Sequence, residues 1–332
     1  MTRRVVAPGR VNLIGDHTDY TGGLVLPMAI DRYTKINGVA GGVRVQLASG
    51  DEPEPVDLPL HIGRPQDSTP MWAKYVAGVV AELAPQEGFR GNVETSIPIG
   101  AGLSSSAALE VAVALALGFS GSQLDLARLC QRAENRATGL PSGIMDQLAI
   151  SAGVAGHALL IDCHELSVIP IALPADVEIV VQFVAHRRLV GSPYADRVAE
   201  CAAAEHIIGP LRQATVAQTR SIDDPVIRAR ALHVIGENQR VLDFVAAMNA
   251  RTIADAGELM FASHNSLRDL YETSTPAMDA AVDALTRTPG VYGARMTGGG
   301  FGGCVIALAE PGAVTEGWIV RAVDGATVSD VS

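Results

Sequence analysis

The sequence predicts an α+β protein of two lobes, and three observations carry the prediction. Strand-like and helix-like segments come in blocks, whereas a doubly wound parallel sheet would alternate them one by one. The 332 residues exceed one ordinary domain and leave length for a second core. The pattern returns to strands from about Ala158 and again close to the end. The division therefore falls near Ala172, with residues 1–172 as the first lobe and 173–332 as the second.

Taken in order, the first elements are short β-branched runs bounded by Gly, Pro or Asp: "RRVVAPG", "GLVLPMAI", "YTKINGV" and "GVRVQLAS". The acidic, proline-rich "DEPEPVDLPLHIGRPQDSTP" reads as an irregular surface excursion. In "PMWAKYVAGVVAELAP", Trp72, Tyr75, Val76, Val79, Val80 and Leu83 recur at helical spacing until Pro85 stops the helix. The strand "GNVETSIPIG" leads into "AGLSSSAALEVAVALALG", an almost wholly apolar segment that must be a buried helix, ended by Gly118. The next helix, "SQLDLARLCQRAENRATG", has Ser122 at its N-cap and Gly139 as its stop. Strands follow in "ALLIDC", "SVIPIAL" and "VEIVVQFV", then helices from roughly Ser192 to Leu285. The chain closes with two strands around a glycine cluster, "GVYGARMTGGGFGGCVIALAE", and a helical "EPGAVTEGWIVRAV".

Composition excludes several functions. With Lys+Arg 25 against Asp+Glu 36, the formal charge is -11, and no basic run offsets it, which argues against nucleic acid as a partner. Cys130, Cys163, Cys201 and Cys304 lie far apart, with no C-x-x-C pair and no histidine at zinc-ligand spacing. Four reduced thiols are expected, with neither a disulfide scaffold nor a structural metal. No run approaches the roughly 18 apolar residues of a membrane span, and no apolar stretch follows the two N-terminal arginines. The expected address is the cytoplasm, without membrane partners.

Four segments carry chemistry. In "PIGAGLSSSAA", a glycine turn and three serines open a hydrophobic helix, whose unpaired N–H groups and partial positive charge suit a phosphate. A capping role for the serines is the alternative. The G-K-[ST] ending of a Walker A loop is absent. The cluster "MTGGGFGGC" holds five glycines in six positions, at Gly298, Gly299, Gly300, Gly302 and Gly303. It contains a formal G-x-G-x-x-G, but a strand follows where a dinucleotide site requires a helix. The backbone there must pass close to a ligand phosphate or to another chain segment. Asp146, after a Pro-Ser-Gly turn on an apolar element, is either a structural ion-pair member or a working carboxylate, and Arg10 could be its partner. Finally, "GRVNLIGDHTDYTGG" crowds Asp16, His17, Thr18, Asp19 and Tyr20 between two glycine-containing turns.

These motifs, in this order, resemble the GHMP family of small-molecule kinases, and the first resembles the signature of its sugar 1-kinases. "SGIMDQ" looks like the family's catalytic turn, and "WAKYVAGV", "LLIDC", "GSPYADRVAEC" and the closing "DGA" extend the likeness over nearly the whole chain. The resemblance implies a ribosomal-S5-like N-terminal lobe, a ferredoxin-like C-terminal lobe and a site between them. It also implies transfer of the ATP γ-phosphoryl group to the anomeric hydroxyl of D-galactose, with Mg2+, by a monomer or weak homodimer. Carried over by position, Asp146 looks like the catalytic base, and Arg10 like the group that keeps it ionised and stabilises the transition state. Ser106 and Glu134 match magnesium positions, and Gly100, Ala101, Gly102, Leu103, Ser104, Ser105 and Ser106 match the phosphate loop. Asp16, His17, Thr18, Asp19, Gly143 and Tyr194 match the sugar site, with Trp72 and Tyr75 on the adenine side.

The chain departs from the family pattern at Asp16, where Glu is usual, and it is shorter than typical members. A carboxylate one methylene shorter reaches the sugar differently, so another hexose, a galactose derivative or L-arabinose are the alternative substrates. A non-catalytic sugar sensor is the alternative of a different class. Against it, Arg10, Ser105, Ser106, Ala107, Glu134 and Asp146 fill every matched catalytic position.

Overall fold

The structure, a computed structural model, describes residues 2–187 and 191–331. The first lobe runs through β1 (Thr2–Asn12), β2 (Leu24–Val25), β3 (Pro27–Ala40), β4 (Arg44–Ser49), β5 (Val56–Pro59), α1 (Ala73–Leu83) and β6 (Phe89–Thr95). It continues through α2 (Ser105–Ala116), α3 (Gln123–Thr138), α4 (Met145–Ala152), β7 (His157–Asp162) and β8 (Ser167–Ala172). The second begins with β9 (Glu178–Ala185), α5 (Tyr194–Ile208), α6 (Pro225–Ala250), α7 (Ile253–Asp269) and α8 (Pro276–Thr286). It ends with β10 (Val291–Met296), β11 (Gly303–Ala309), β12 (Trp318–Val320) and β13 (Thr327–Val331).

A six-stranded sheet in the order β13-β1-β3-β6-β4-β5 organises the first lobe, beside a small β2-β7-β8 sheet. The second lobe has an antiparallel sheet in the order β10-β11-β9-β12. One apolar cluster packs α1, α2 and α3 on the six-stranded sheet and continues across the lobe boundary onto β9, β11, α6 and α7; a second packs α5, α6 and α8 on β10 and β11. Small residues explain α2, where Ala107, Ala108, Ala112, Ala114 and Ala116 are buried together with Leu109, Val111 and Val113. A helix covered on all sides has no use for an amphipathic stripe. The caps of α3 are as expected: Ser122 Oγ accepts from Asp125 N–H at 3.1 Å, and Gly139 closes the helix at φ 73°.

Strand β1 changes character midway. Its first residues alternate in exposure, while Ala7–Asn12 are all buried. A register shift at Pro8/Gly9 marks the change, since proline has no N–H for the ladder. A Cβ on Gly9 would stand 2.8 Å from the Leu103 carbonyl, so glycine lets the loop before α2 lie directly on the strand. That contact turns the rest of β1 into the floor of the site.

Three expectations are corrected. The acidic excursion is not wholly irregular: Val56 and Leu58 are buried and pull β5 onto the sheet edge, and a 3-10 turn forms at Pro65–Asp67. The closing helix does not form. Pro311 and the left-handed Gly312 and Gly317 interrupt it, and the β-branched Ile319 and Val320 join β12. Finally, β13 pairs with β1, so the end of the chain, assigned by sequence to the second lobe, adds a strand to the first sheet. Among the described residues no helix is long and apolar enough to cross a membrane, and all four cysteines are free.

Candidate active site

Three chain segments meet at the lobe boundary. The end of β1 joins the loop between β10 and β11, with Asn12 N–H donating to Thr297 Oγ1 at 2.9 Å and Gly298 N–H donating to Asp16 Oδ1 at 3.0 Å. Arg10 N–H donates to the Leu103 carbonyl at 3.2 Å, which adds the loop preceding α2. Gly100 and Gly102 adopt φ 75° and 79°, a left-handed conformation that glycine takes without strain. A Cβ on Gly298 would lie 3.3 Å from the Gly102 carbonyl, one on Gly303 3.0 Å from the Ala101 carbonyl, and one on Gly300 would overlap the Thr273 carbonyl. Close approach to other chain segments thus accounts for part of the glycine cluster. A strand, β11, follows it directly, as the rejection of a dinucleotide fold requires.

The serines do not cap α2. Ser104 stands at the N-cap but in a left-handed conformation, φ 62°, and its hydroxyl donates to Asp146. Ser106 Oγ donates to Glu134 Oε1 at 3.3 Å. Since no serine side chain caps it, the start of α2 keeps its N–H groups for an anion.

Asp146 lies in the first turn of α4, and Arg10 grips it with two bonds, Nε to Oδ1 at 2.7 Å and Nη2 to Oδ2 at 2.9 Å. Arg10 Nη1 also donates to the Gly102 carbonyl at 2.8 Å, which ties the pair to the glycine loop. Arg10 is 2% exposed while the Asp146 side chain keeps 27% of its surface, so the carboxylate opens into the cleft from a buried support. The fork geometry is one that lysine could not reproduce.

Asp19 faces the same space. A Cβ on Gly143 would overlap its carboxylate, so only glycine lets the turn before α4 pass there. Burial, and then the neighbouring charge of Asp146, raise the Asp19 pKa to about 7. This strain has a testable sign. In the unfolded chain Asp19 titrates near 3.8, and in the fold at about 7. Between those values the unfolded state sheds its proton freely and the folded state resists, so stability falls as pH rises from about 4 to 7. Asp19→Asn should therefore melt above the parent protein at pH 8, with the difference vanishing near pH 4. Thermal melts across that range check it.

Glu134 is held by three donors: Ser106 Oγ, Gln147 Nε2 at 2.7 Å and Ser142 Oγ at 3.4 Å. Burial, then Asp146, raise its pKa, so ionising it is costly in the fold as it stands. A hydroxyl and one carboxylate are hard oxygen donors. They would suit a small hard cation that brings its own waters and phosphate oxygens; no group of three or more His, Cys, Asp or Glu placed to hold a metal occurs among the described residues.

The first motif is less open than its polarity suggests. Thr18 Oγ1 lies 2.9 Å from the Gly15 carbonyl and 2.6 Å from that of Leu24, which holds the turn together. His17, at φ 65°, is 4% exposed and its Nδ1 meets the Tyr20 hydroxyl at 2.9 Å; burial drives its pKa well down. Its ring packs within 5.6 Å of that of Tyr194, the first residue of α5. Asp16 is 1% exposed, and its Oδ2 sits 2.7 Å from Arg295 Nη1, close enough for an ion pair though poorly aligned for a hydrogen bond. Burial raises its pKa, and Arg295 only partly offsets this. Beyond Arg295 lies Glu237, where burial is outweighed by Arg240, His233 and Arg295, bringing it to about 2.

On the remaining side, burial and then the charges of Glu134 and Glu110 raise the pKa of Tyr75. Trp72 is 7% exposed and donates its indole N–H to the Glu54 carbonyl at 2.9 Å, so it belongs to the core rather than to the open cleft. Sequence reasoning missed two cations. Arg187 places its backbone N–H on the Gly100 carbonyl at 3.1 Å and its guanidinium beside the Gly300 carbonyl at 3.5 Å. Among the described residues it forms no ion pair, and burial followed by the charge of Arg10 lowers its pKa. The signal was available: an arginine pair directly after a β-strand, with no acid near it in sequence. Arg295 could have been found only from the topology, because β10 brings it beneath Asp16.

Comparison with known proteins agrees with this geometry. The profile described as "Galactokinase galactose-binding signature" matches residues 3–37, "GHMP kinases N terminal domain" residues 73–154, and "GHMP kinases C terminal" residues 244–317. Galactokinase of Bos taurus is 44% identical over 93% of this chain and 84% of its own length. That of Thermotoga maritima is 38% identical over 93% and 90%. The crystal structure of Lactococcus lactis galactokinase complexed with galactose superposes with a TM-score of 0.91 at 31% identity, covering 98% of this chain and 95% of that one. The Methanococcus jannaschii mevalonate kinase shares the fold, with a TM-score of 0.68 at 22% identity over 92% of this chain and 90% of that one. The ion-paired Asp146, the glycine loop before α2 and these matches lead to one conclusion: the chain belongs to the galactokinases of the GHMP kinase family.

Proposed function

We propose that the protein transfers the γ-phosphoryl group of ATP to the anomeric hydroxyl of D-galactose. The observation that carries this reading is the Arg10 fork on a half-open Asp146, beside the unpaired start of α2. Phosphoryl transfer asks little covalent work of the protein, so positioning and fixed charges supply most of the rate. Asp146 takes or orients the hydroxyl proton, and Arg10 fixes its direction. The N–H groups of residues 100–106 and the Arg187 guanidinium receive phosphate oxygens. Ser106 and Glu134 would hold Mg2+, which when bound would neutralise phosphate charge.

The sugar is read by Asp19, whose carboxylate accepts from two neighbouring hydroxyls, with Tyr194, His17, Thr18 and Gly143 shaping the wall and Asp16 lying behind it. Losing one such contact leaves a buried charge unpaired, which is why a polar site of this kind discriminates between epimers. Four free thiols and dependence on ATP support a cytoplasmic address. The test is a panel of sugars with Mg-ATP. D-galactose should have a kcat/KM at least tenfold above D-glucose, D-mannose and L-arabinose; equal turnover of these sugars would overturn the galactose assignment.

A further inference from the structure

One buried acid has no part in the reaction just described. Glu110 is 0% exposed in the middle of the apolar helix α2, where an isolated charge would be costly. It stands one turn after Ser106 and so shares its face of the helix, as Cys130 and Glu134 share a face of α3. Between these faces lies Gln147, also 0% exposed, whose Nε2 donates to Glu134 Oε2 at 2.7 Å and to Glu110 Oε2 at 3.4 Å. Among the described residues Glu110 Oε1 and Gln147 Oε1 are both buried without a hydrogen-bond partner.

We infer that Glu110 is a positioning residue: as a neutral carboxylic acid it clamps the Gln147 amide, and the clamped amide orients Glu134 toward the cation. The two orphan atoms are the remaining oxygens of the two side chains that the Gln147 Nε2 to Glu110 Oε2 bond already joins. One proton on the carboxyl lets a side chain that already accepts from the amide N–H also donate to the amide oxygen. A carboxylic acid and a primary amide then hold each other by two bonds, and the second amide N–H is fixed on Glu134. Burial, with the charge of Glu134 added, favours the neutral form strongly. A charged Glu110 would instead repel Glu134 and Asp146. Partners of a metal-binding carboxylate typically govern metal affinity about 10- to 100-fold.

The inference rests on Glu134 as the cation-binding carboxylate, and the experiment separates the two. Mn2+ is titrated into the intact protein with a non-hydrolysable ATP analogue, bound metal is read by electron paramagnetic resonance, and galactose affinity is measured by calorimetry. Glu110→Met, close in shape and apolar, should weaken Mn2+ binding about tenfold and leave galactose affinity within about twofold. Glu110→Gln, whose amide can donate and accept in the same pairing, should restore metal affinity to within about twofold of the parent. If Glu110→Gln is as weak as Glu110→Met, the carboxylate charge is needed and the inference fails; unchanged affinity in Glu110→Met also ends it. If Glu110→Met does not fold, Gln147→Met tests the link from its other end, with the same tenfold loss expected and unchanged affinity as the contrary result. Glu134→Gln serves as control: if it binds Mn2+ like the parent protein, the cation assignment itself is wrong.

Discussion

Asp146→Asn should lower kcat by about three orders of magnitude, within the 10²–10⁴ range of general-base catalysis, while galactose affinity changes only a few-fold. Asparagine keeps the shape of the side chain and can still accept from Ser104, so the site should remain assembled. What it loses is the acceptor for the hydroxyl proton and the anion that Arg10 grips through both oxygens. Steady-state kinetics together with calorimetric titration of galactose separate these effects. A kcat within tenfold of the parent would remove Asp146 from the role of base.

Arg10→Met should be costly twice. Arg10 is 2% exposed and serves Asp146 and the Gly102 carbonyl together, so its removal strips three hydrogen bonds from buried or half-buried acceptors. Breaking a buried pair by removing one partner costs about 3–5 kcal/mol, and the surface left on Asp146 argues for the lower end, about 3 kcal/mol. Denaturant unfolding reads that loss. Turnover should fall at least a hundredfold even at temperatures where the variant stays folded, because Asp146 loses its direction and the glycine loop its anchor. Arg10→Lys should recover little, since an ammonium cannot make the two parallel bonds. The double variant with Asp146→Asn should be barely slower than the worse single one, as expected of residues that act as a unit.

How far the sequence reveals this protein depends on whether the cause is local. The caps at Ser122 and Gly139, the buried alanine-rich α2 and the glycine loop are set by neighbours in sequence, and each could be read there. The closing helix was misread because the apolar spacing of "GWIVRAV" suits either state; Pro311, Gly312 and Gly317 decided for a strand. Long-range facts were hidden. Nothing near Thr327 announces pairing with β1, and nothing near Arg295 announces a carboxylate 279 positions earlier, at Asp16. The pairing of Arg10 with Asp146 was offered as one possibility by residue type and chosen by the fold. The sequence matched both Asp16 and Asp19 to the sugar site, and packing separates them: Asp19 faces the cleft beside Gly143, while Asp16 is tied to Gly298 and Arg295.

The central claim is that these groups direct a phosphoryl group onto the anomeric oxygen of galactose. The most direct measurement is phosphorus NMR of the product formed from ATP, Mg2+ and D-galactose. The account predicts one new sugar phosphate whose phosphorus couples to the anomeric proton, formed about a thousandfold more slowly when Asp146→Asn replaces the parent protein. A phosphate coupled to the C6 protons, or ATP consumed with no sugar phosphate formed, would contradict it.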